Sequence, residues 1–109
     1  MTNGFIYLFE SVSEYETQYK IGYTRNKSTL KKRVKQLQTG NPNKIHIVKY
    51  FETSHGRKVE TTLHHIYSMK RLEGEWFELD NYDVDSFIES CEKIEENFDF
   101  LVKEGNPFI

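Results

Sequence analysis

YKIGYT, residues 19–24, sets a lysine and a glycine inside a run that otherwise favours a strand, and the reading of those two positions decides the fold. Strand alternation puts Tyr19, Ile21 and Tyr23 on one face and Lys20, Gly22 and Thr24 on the other. Glycine weakens a strand interior, so Gly22 marks a place where a phosphate or a neighbouring backbone comes close. Upstream, GFIYLF (4–9) is short, aromatic and β-branched, with Phe5, Tyr7 and Phe9 on one face and Ile6 and Leu8 on the other. The polar stretch ESVSEYETQ between the two runs reads as a loop, and the pair predicts an antiparallel hairpin.

Downstream, STLKKRVKQLQTGNP (28–42) has helical spacing, with Ser28 at the N-cap, Leu30, Val34 and Leu37 as the apolar stripe, and Gly40 and Pro42 as stop signals. Arg33 borders that stripe. KIHIVKYFE (44–52) sets Ile45, Ile47 and, least cleanly, Lys49 against His46, Val48 and Tyr50, which predicts a third strand. GRKVETTLHHIYSMK (56–70) predicts a helix with Val59, Leu63 and Ile66 inward and Glu60, His64 and Tyr67 as an adjoining stripe. GEWFELD (74–80) reads as a turn and a short extended piece, Trp76 and Phe77 inward, Glu75 and Glu78 outside. DVDSFIESCEKIEENFDFLVK (83–103) predicts one amphipathic helix burying Val84, Phe87, Ile88, Cys91, Ile94, Phe98 and Leu101. The order β-β-α-β-α-(β)-α predicts a single α+β domain with a small antiparallel or mixed three-stranded sheet flanked by helices. Residues 1–80 form its core, and 81–109 an acidic amphipathic helix packed on it.

The 109 residues suffice for one modest core, and 15% of them are aromatic. No apolar run approaches the ~20 residues of a membrane span, and the start MTNGFIYLFE lacks the basic region of a secretory leader, so a cytoplasmic protein is expected. The single cysteine, Cys91, reads as a small buried apolar residue. The net charge of −2 hides an asymmetry: residues 15–71 carry thirteen lysines and arginines against three acids, residues 72–109 two lysines against twelve acids. A basic stretch of that density suits a polyanion; the alternative is a solvated surface whose two halves attract each other.

Tyr7, Lys20, Gly22, Arg33 and Glu60 each lie beside an apolar position, in the order of five short motifs: GFIYLF, YKIG followed by Thr24, LKKRVKQLQTGNP, VETTLHHIY and GEWFEL. In these, over roughly residues 4–79, the chain resembles the GIY-YIG nuclease superfamily, especially its compact phage, viral and fungal branch. The resemblance implies a metal-dependent endonuclease hydrolysing DNA phosphodiester bonds, with RNA as the other candidate substrate. It gives Tyr7 the role of hydrogen-bonding or deprotonating the attacking water. It puts Lys20 where classical members carry a second tyrosine, either to lower the pKa of Tyr7 or to contact phosphate. Arg33 becomes the clamp on the scissile phosphate, and Glu60 the carboxylate ligand of Mg²⁺ or Mn²⁺. Gly22, Thr24 and Arg25, then Lys31, Lys32 and Lys35, then Arg57 and Lys58 are the expected nucleic-acid contacts. Leu37 stands where many members have a helper His or Tyr, and GEWFEL offers no asparagine where many have one, although Asn81 is near.

Two other readings follow from the same residues. One is a nucleic-acid-binding module without efficient turnover; the other is a viral or phage effector that binds a host protein, with the acidic last helix as its contact. Glu60 and His64 at i, i+4 suit zinc, but spacing supplies no third ligand.

Overall fold

A computed structural model describes residues 3–105 of the chain. Strands β1 (Gly4–Val12) and β2 (Thr17–Thr24) form the antiparallel hairpin, with Tyr7 opposite Gly22 and Phe9 opposite Lys20. Both run deeper into the polar linker than the aromatic runs suggest, as far as the pair Val12 and Thr17. An antiparallel ladder satisfies backbone groups whatever the side chain, so polarity alone does not end a strand. The remaining connection closes on Ser13, whose Oγ donates to the Glu16 carbonyl at 2.8 Å and accepts the Glu16 N–H at 3.0 Å.

Then come α1 (Thr29–Gln38), β3 (Lys44–Thr53), α2 (Gly56–Ile66), a 3₁₀ turn (Ser68–Lys70), β4 (Trp76–Phe77), α3 (Asn81–Asp85) and α4 (Phe87–Lys103). The sheet order is β3-β1-β2-β4 with every neighbour antiparallel. The class is the expected α+β; the sheet has four strands rather than three because Trp76 and Phe77 pair with Lys20 and Tyr19. Among the described residues no helix is long and apolar enough to cross a membrane.

Each face of the sheet has its own core. Ile6, Leu8 and Ile21 pack with Val59 and Leu63 of α2 and Phe87, Cys91 and Ile94 of α4. On the opposite face Tyr7, Phe9 and Ile45 meet Leu30 of α1, with Val34, Leu37 and Trp76 around them. Full burial of one such side chain stabilises the fold by about 1.5–3 kcal/mol. Gln38 fixes the turn from α1 to β3: its Nε2 donates to the carbonyls of Asn41 and Asn43 at 3.1 and 2.7 Å, and its Oε1 accepts the Ile45 N–H at 2.9 Å. That gives QTGNP a structural reason, with Gly40 at φ 72° ending the helix.

Several local expectations change. Ser28 stands at the N-cap but makes no capping bond; Thr29 instead donates from Oγ1 to the Asn26 carbonyl at 2.7 Å and touches Thr24 Oγ1, tying α1 to β2. A bulge in β3 interrupts the alternation, since Phe9 faces Ile47 while Leu8 faces Lys49. Lys49 therefore leaves the Ile47 face, and its Nζ donates to the Val84 carbonyl at 2.6 Å. Helix α2 stops at Ile66, which is half exposed, and the following turn carries Tyr67 into the core in its place. The long acidic helix is two helices. Asp80 and Asp83 form a capping box at the start of α3, and Ser86 Oγ donates back to the Tyr82 carbonyl at 2.7 Å where α3 ends.

Gly22 answers to an aromatic ring rather than to a backbone or a phosphate. A Cβ built there would lie 2.2 Å from both Cζ and Oη of Tyr7, and Tyr7 is itself fully buried and stacked on Phe9 at 4.2 Å between ring centroids. The ring has nowhere to retreat without unpacking that face. Gly22→Ala is expected to destabilise the protein by about 1–3 kcal/mol, the usual cost of overpacking a filled core. Urea denaturation checks it, and an unchanged midpoint would contradict the packing described.

Candidate active site

Tyr7 crosses from the centre of the sheet over Gly22 to the flank of α1. There Arg33 Nη1 donates to Tyr7 Oη at 3.3 Å, and the guanidinium carbon lies 5.8 Å from the centre of the tyrosine ring. Arg33 is exposed as a residue, and the tyrosine orients its guanidinium at the pocket. Tyr7, Lys20, Arg33, Gln36 and Leu37 line a pocket of about 180 Å³. A larger hollow of about 560 Å³ beside Lys27, Leu30 and Tyr50 is lined by none of Tyr7, Lys20, Arg33 and Glu60. The chemistry-bearing groups gather at the smaller one.

Lys20 does not rest on Tyr7. Its Nζ pairs with Glu75 Oε2 at 2.9 Å and lies 5.6 Å from the Trp76 ring centre. β4 makes this possible, because Lys20 pairs with Trp76 in the sheet and the Ile21 N–H donates to the Glu75 carbonyl at 3.1 Å. Glu75, expected to point outside, is thus turned to Lys20 beside the site and remains part-exposed. Arg33 is the cation that acts on Tyr7.

Behind Lys20, Glu60 and His64 project from successive turns of α2, and Glu75 reaches them from the loop before β4. One ligand atom from each of the three lies within 4.8 Å of the others. The third donor that spacing along α2 did not supply comes from a different element. His64 Nε2 is 2.9 Å from the Ile21 carbonyl. A carbonyl only accepts, so Nε2 carries the hydrogen and the neutral ring keeps its lone pair on Nδ1. Two carboxylates and an imidazole are a donor set suited to a divalent cation.

Charge and burial act on both ends of this array. Burial lifts the Tyr7 phenol above its ordinary value; Arg33 pulls it back by charge and hydrogen bond, while Glu75 and Glu60 push it further up. Burial also lifts the Glu60 carboxyl, Glu75 adds to the rise, and His64, Arg57 and Lys20 oppose it. A carboxylate whose ionisation is made costlier by a second carboxylate beside it favours a cation between the two.

Of the other residues expected to meet nucleic acid, Arg25, Lys31, Lys32, Lys35, Arg57 and Lys58 are exposed. Gly22 and Thr24 are buried: the Tyr7 ring covers the first, and the hydroxyl of the second is turned to Thr29. His64 and Glu75 were missed as site residues, although the i, i+4 pair and the acid of GEWF were visible signals.

Residues 4–92 match the T5orf172 domain. The chain belongs to that family. The T5orf172 match takes in every residue of the array, Tyr7, Lys20, Arg33, Glu60, His64 and Glu75, and extends through α3 into α4. Neither the curated proteins nor the solved structures contain a match to this T5orf172 chain.

The raised Glu60 carboxyl has a sign that can be measured. The folded protein holds this proton more tightly than the unfolded chain, so the contribution to stability is complete below the unfolded pKa and is lost as pH rises through the folded one. Ionised Glu60 thus costs stability at neutral pH when no metal is bound. In chelator, Glu60→Gln is expected to melt at a higher temperature than wild type at neutral pH, with the gap narrowing as acidification passes from above the ordinary glutamate range down through it. Thermal denaturation across that range checks it, and a variant that melts lower at neutral pH would contradict the assigned environment.

Proposed function

We propose that the protein is a metal-dependent endonuclease of the GIY-YIG type that hydrolyses phosphodiester bonds in DNA. The observation that carries this reading is the meeting of Tyr7 and Arg33 at 3.3 Å in a pocket that also holds Lys20, with Glu60, His64 and Glu75 behind it. The T5orf172 domain, associated with nuclease-related phage proteins, supports the same class.

Each side chain has a task in this reading. Arg33 holds a non-bridging phosphate oxygen and stabilises the charge that grows there, which a planar fork does better than a point charge. Tyr7 accepts from Arg33, so its own hydroxyl hydrogen is left for the attacking water or a phosphate oxygen once Arg33 turns to the phosphate and uncovers the buried ring. As an acceptor of the water's proton Tyr7 must first overcome its raised pKa, and the charges of Glu60 and Glu75 work against that only while they are uncompensated. Glu60 is the ligand of Mg²⁺ or Mn²⁺, with His64 and Glu75 as further donors; the ion supplies positive charge at the phosphate and at the leaving oxygen. Arg25, Lys31, Lys32 and Lys35 lead the duplex backbone to the pocket, and Arg57 and Lys58 hold it on the α2 side.

A second reading, a binding module without efficient turnover, is favoured by Leu37: it lines the pocket beside Arg33 and brings no proton-transfer group there. Plasmid cleavage separates the two. Wild type is expected to nick or cut with Mg²⁺ or Mn²⁺, Glu60→Ala to lose the activity, and Arg33→Ala to fall by about 10²–10³-fold. If wild type binds DNA in a salt-dependent way, loses that binding when Lys31, Lys32 and Lys35 become alanine, and yet never cuts, the binding module stands and the nuclease falls.

A further inference from the structure

Glu75 faces two ways. On one side its carboxylate pairs with the ammonium of Lys20, whose side chain is only 17% exposed. On the other it belongs to the donor set with Glu60 and His64. Lys20 also lines the pocket that holds Tyr7 and Arg33.

We propose that Lys20 and a divalent cation compete for Glu75: the ion seats on Glu60, His64 and Glu75, and its arrival releases the Lys20 ammonium toward Tyr7 and Arg33, where a phosphate binds. The inference rests on the nuclease reading of this site and extends it by a lysine that changes partner when the ion arrives.

Ile21, the isoleucine of YKIG, sets up the arrangement with its backbone alone. Its N–H donates to the Glu75 carbonyl at 3.1 Å, and its own carbonyl accepts from His64 Nε2 at 2.9 Å. One residue of β2 thereby holds the acid-bearing segment through its N–H and orients the imidazole through its carbonyl, and the next residue back is Lys20. The ligand frame exists before any ion enters.

The charges explain why the lysine moves. Two ionised carboxylates and one ammonium leave the cluster short of one positive charge. A divalent ion on the same carboxylates reverses the balance, and an ammonium already in contact with Glu75 then faces a like charge at close range. Lysine is a compact charge on a flexible four-carbon stem, so it can leave without moving the strand. A phosphate in the neighbouring pocket is the favourable destination. The imidazole also inclines the site toward Mn²⁺ over Mg²⁺, since nitrogen donors suit the softer ion.

The test is Mn²⁺ affinity by isothermal titration calorimetry on the full chain, in variants whose folding is checked by circular dichroism. Lys20→Met, which keeps the length and removes the charge, is expected to bind Mn²⁺ about 2–5-fold more tightly, the scale of a partly screened ion pair. Lys20→Arg keeps the competing charge and should stay near wild type. In a Glu75→Gln background, binding is weaker and Lys20→Met should bring no gain. His64→Ala should weaken Mn²⁺ more than Mg²⁺. Binding that needs Glu60 but ignores Lys20 overturns the exchange and leaves the nuclease reading intact; no Mn²⁺ binding by wild type overturns the metal in both. A readout on unsubstituted protein is the NMR signal of Lys20 after ¹³C-methylation of its lysines. Mg²⁺ should shift it in wild type and leave it in place in Glu60→Gln. A signal unmoved at saturating Mg²⁺ counts against the exchange.

Discussion

The contact on which the rest of this molecule depends is the Tyr7 ring lying across Gly22. Tyr7 sits on an inner strand, fully buried, and its hydroxyl reaches Arg33 only because the neighbouring strand has no side chain in the way. The pairing of Tyr7 with Gly22 is a register statement, so it also fixes Phe9 opposite Lys20 and brings Lys20 to the rim of the same pocket. A slip of one residue would carry Tyr7 to the other face, into the core against α2 and α4. Register, core partition and site geometry are one constraint.

From that constraint follows how charge is distributed around the pocket. The cation bonded to Tyr7 is Arg33, and the lysine of β2 answers to Glu75. The acids of the last helix are also partly engaged in the fold: Glu95 accepts from Thr53 Oγ1 and from the Ser54 N–H at 3.0 Å, and Asp99 pairs with His55 at 2.8 Å. Both bonds brace the junction between β3 and α2, the point from which α2 carries Glu60 and His64 toward the sheet. Part of the charge asymmetry in the sequence is therefore scaffold.

What was legible in the sequence was whatever obeys a period. The split of Ile6 and Leu8 from Tyr7 and Phe9, the stripe of α1, Val59 and Leu63 of α2 and the buried face of α4 all follow alternation or helical spacing, and the structure keeps them. Gly22 was legible as a place of close approach but not as to what approaches. The misses are where a period breaks. The extra residue in β3 depends on pairing between strands distant in sequence, and the stop at Ser86 on a side-chain bond within one helical turn. Glu75 was illegible for a related reason: in a two-residue strand no pattern says which way the preceding residue turns, and only its pairing with β2 does.

YKIG and GEWF, far apart in the chain, meet as one unit in space. Lys20 with Trp76 and Glu75, and Ile21 with the Glu75 carbonyl, are contacts between these two motifs and no others. A tyrosine in place of Lys20 would leave Glu75 beside Glu60 with no positive partner within the sheet. A glutamine in place of Glu75 would leave a largely buried ammonium with the aromatic face of Trp76 alone. The second leaves an unpaired, largely buried charge, which folding penalises heavily; the first leaves a part-exposed carboxylate beside another acid. The lysine is therefore better understood as half of an acid–base pair with GEWF than as a replacement for a tyrosine, and the question it posed in the strand is answered from the other end of the sheet.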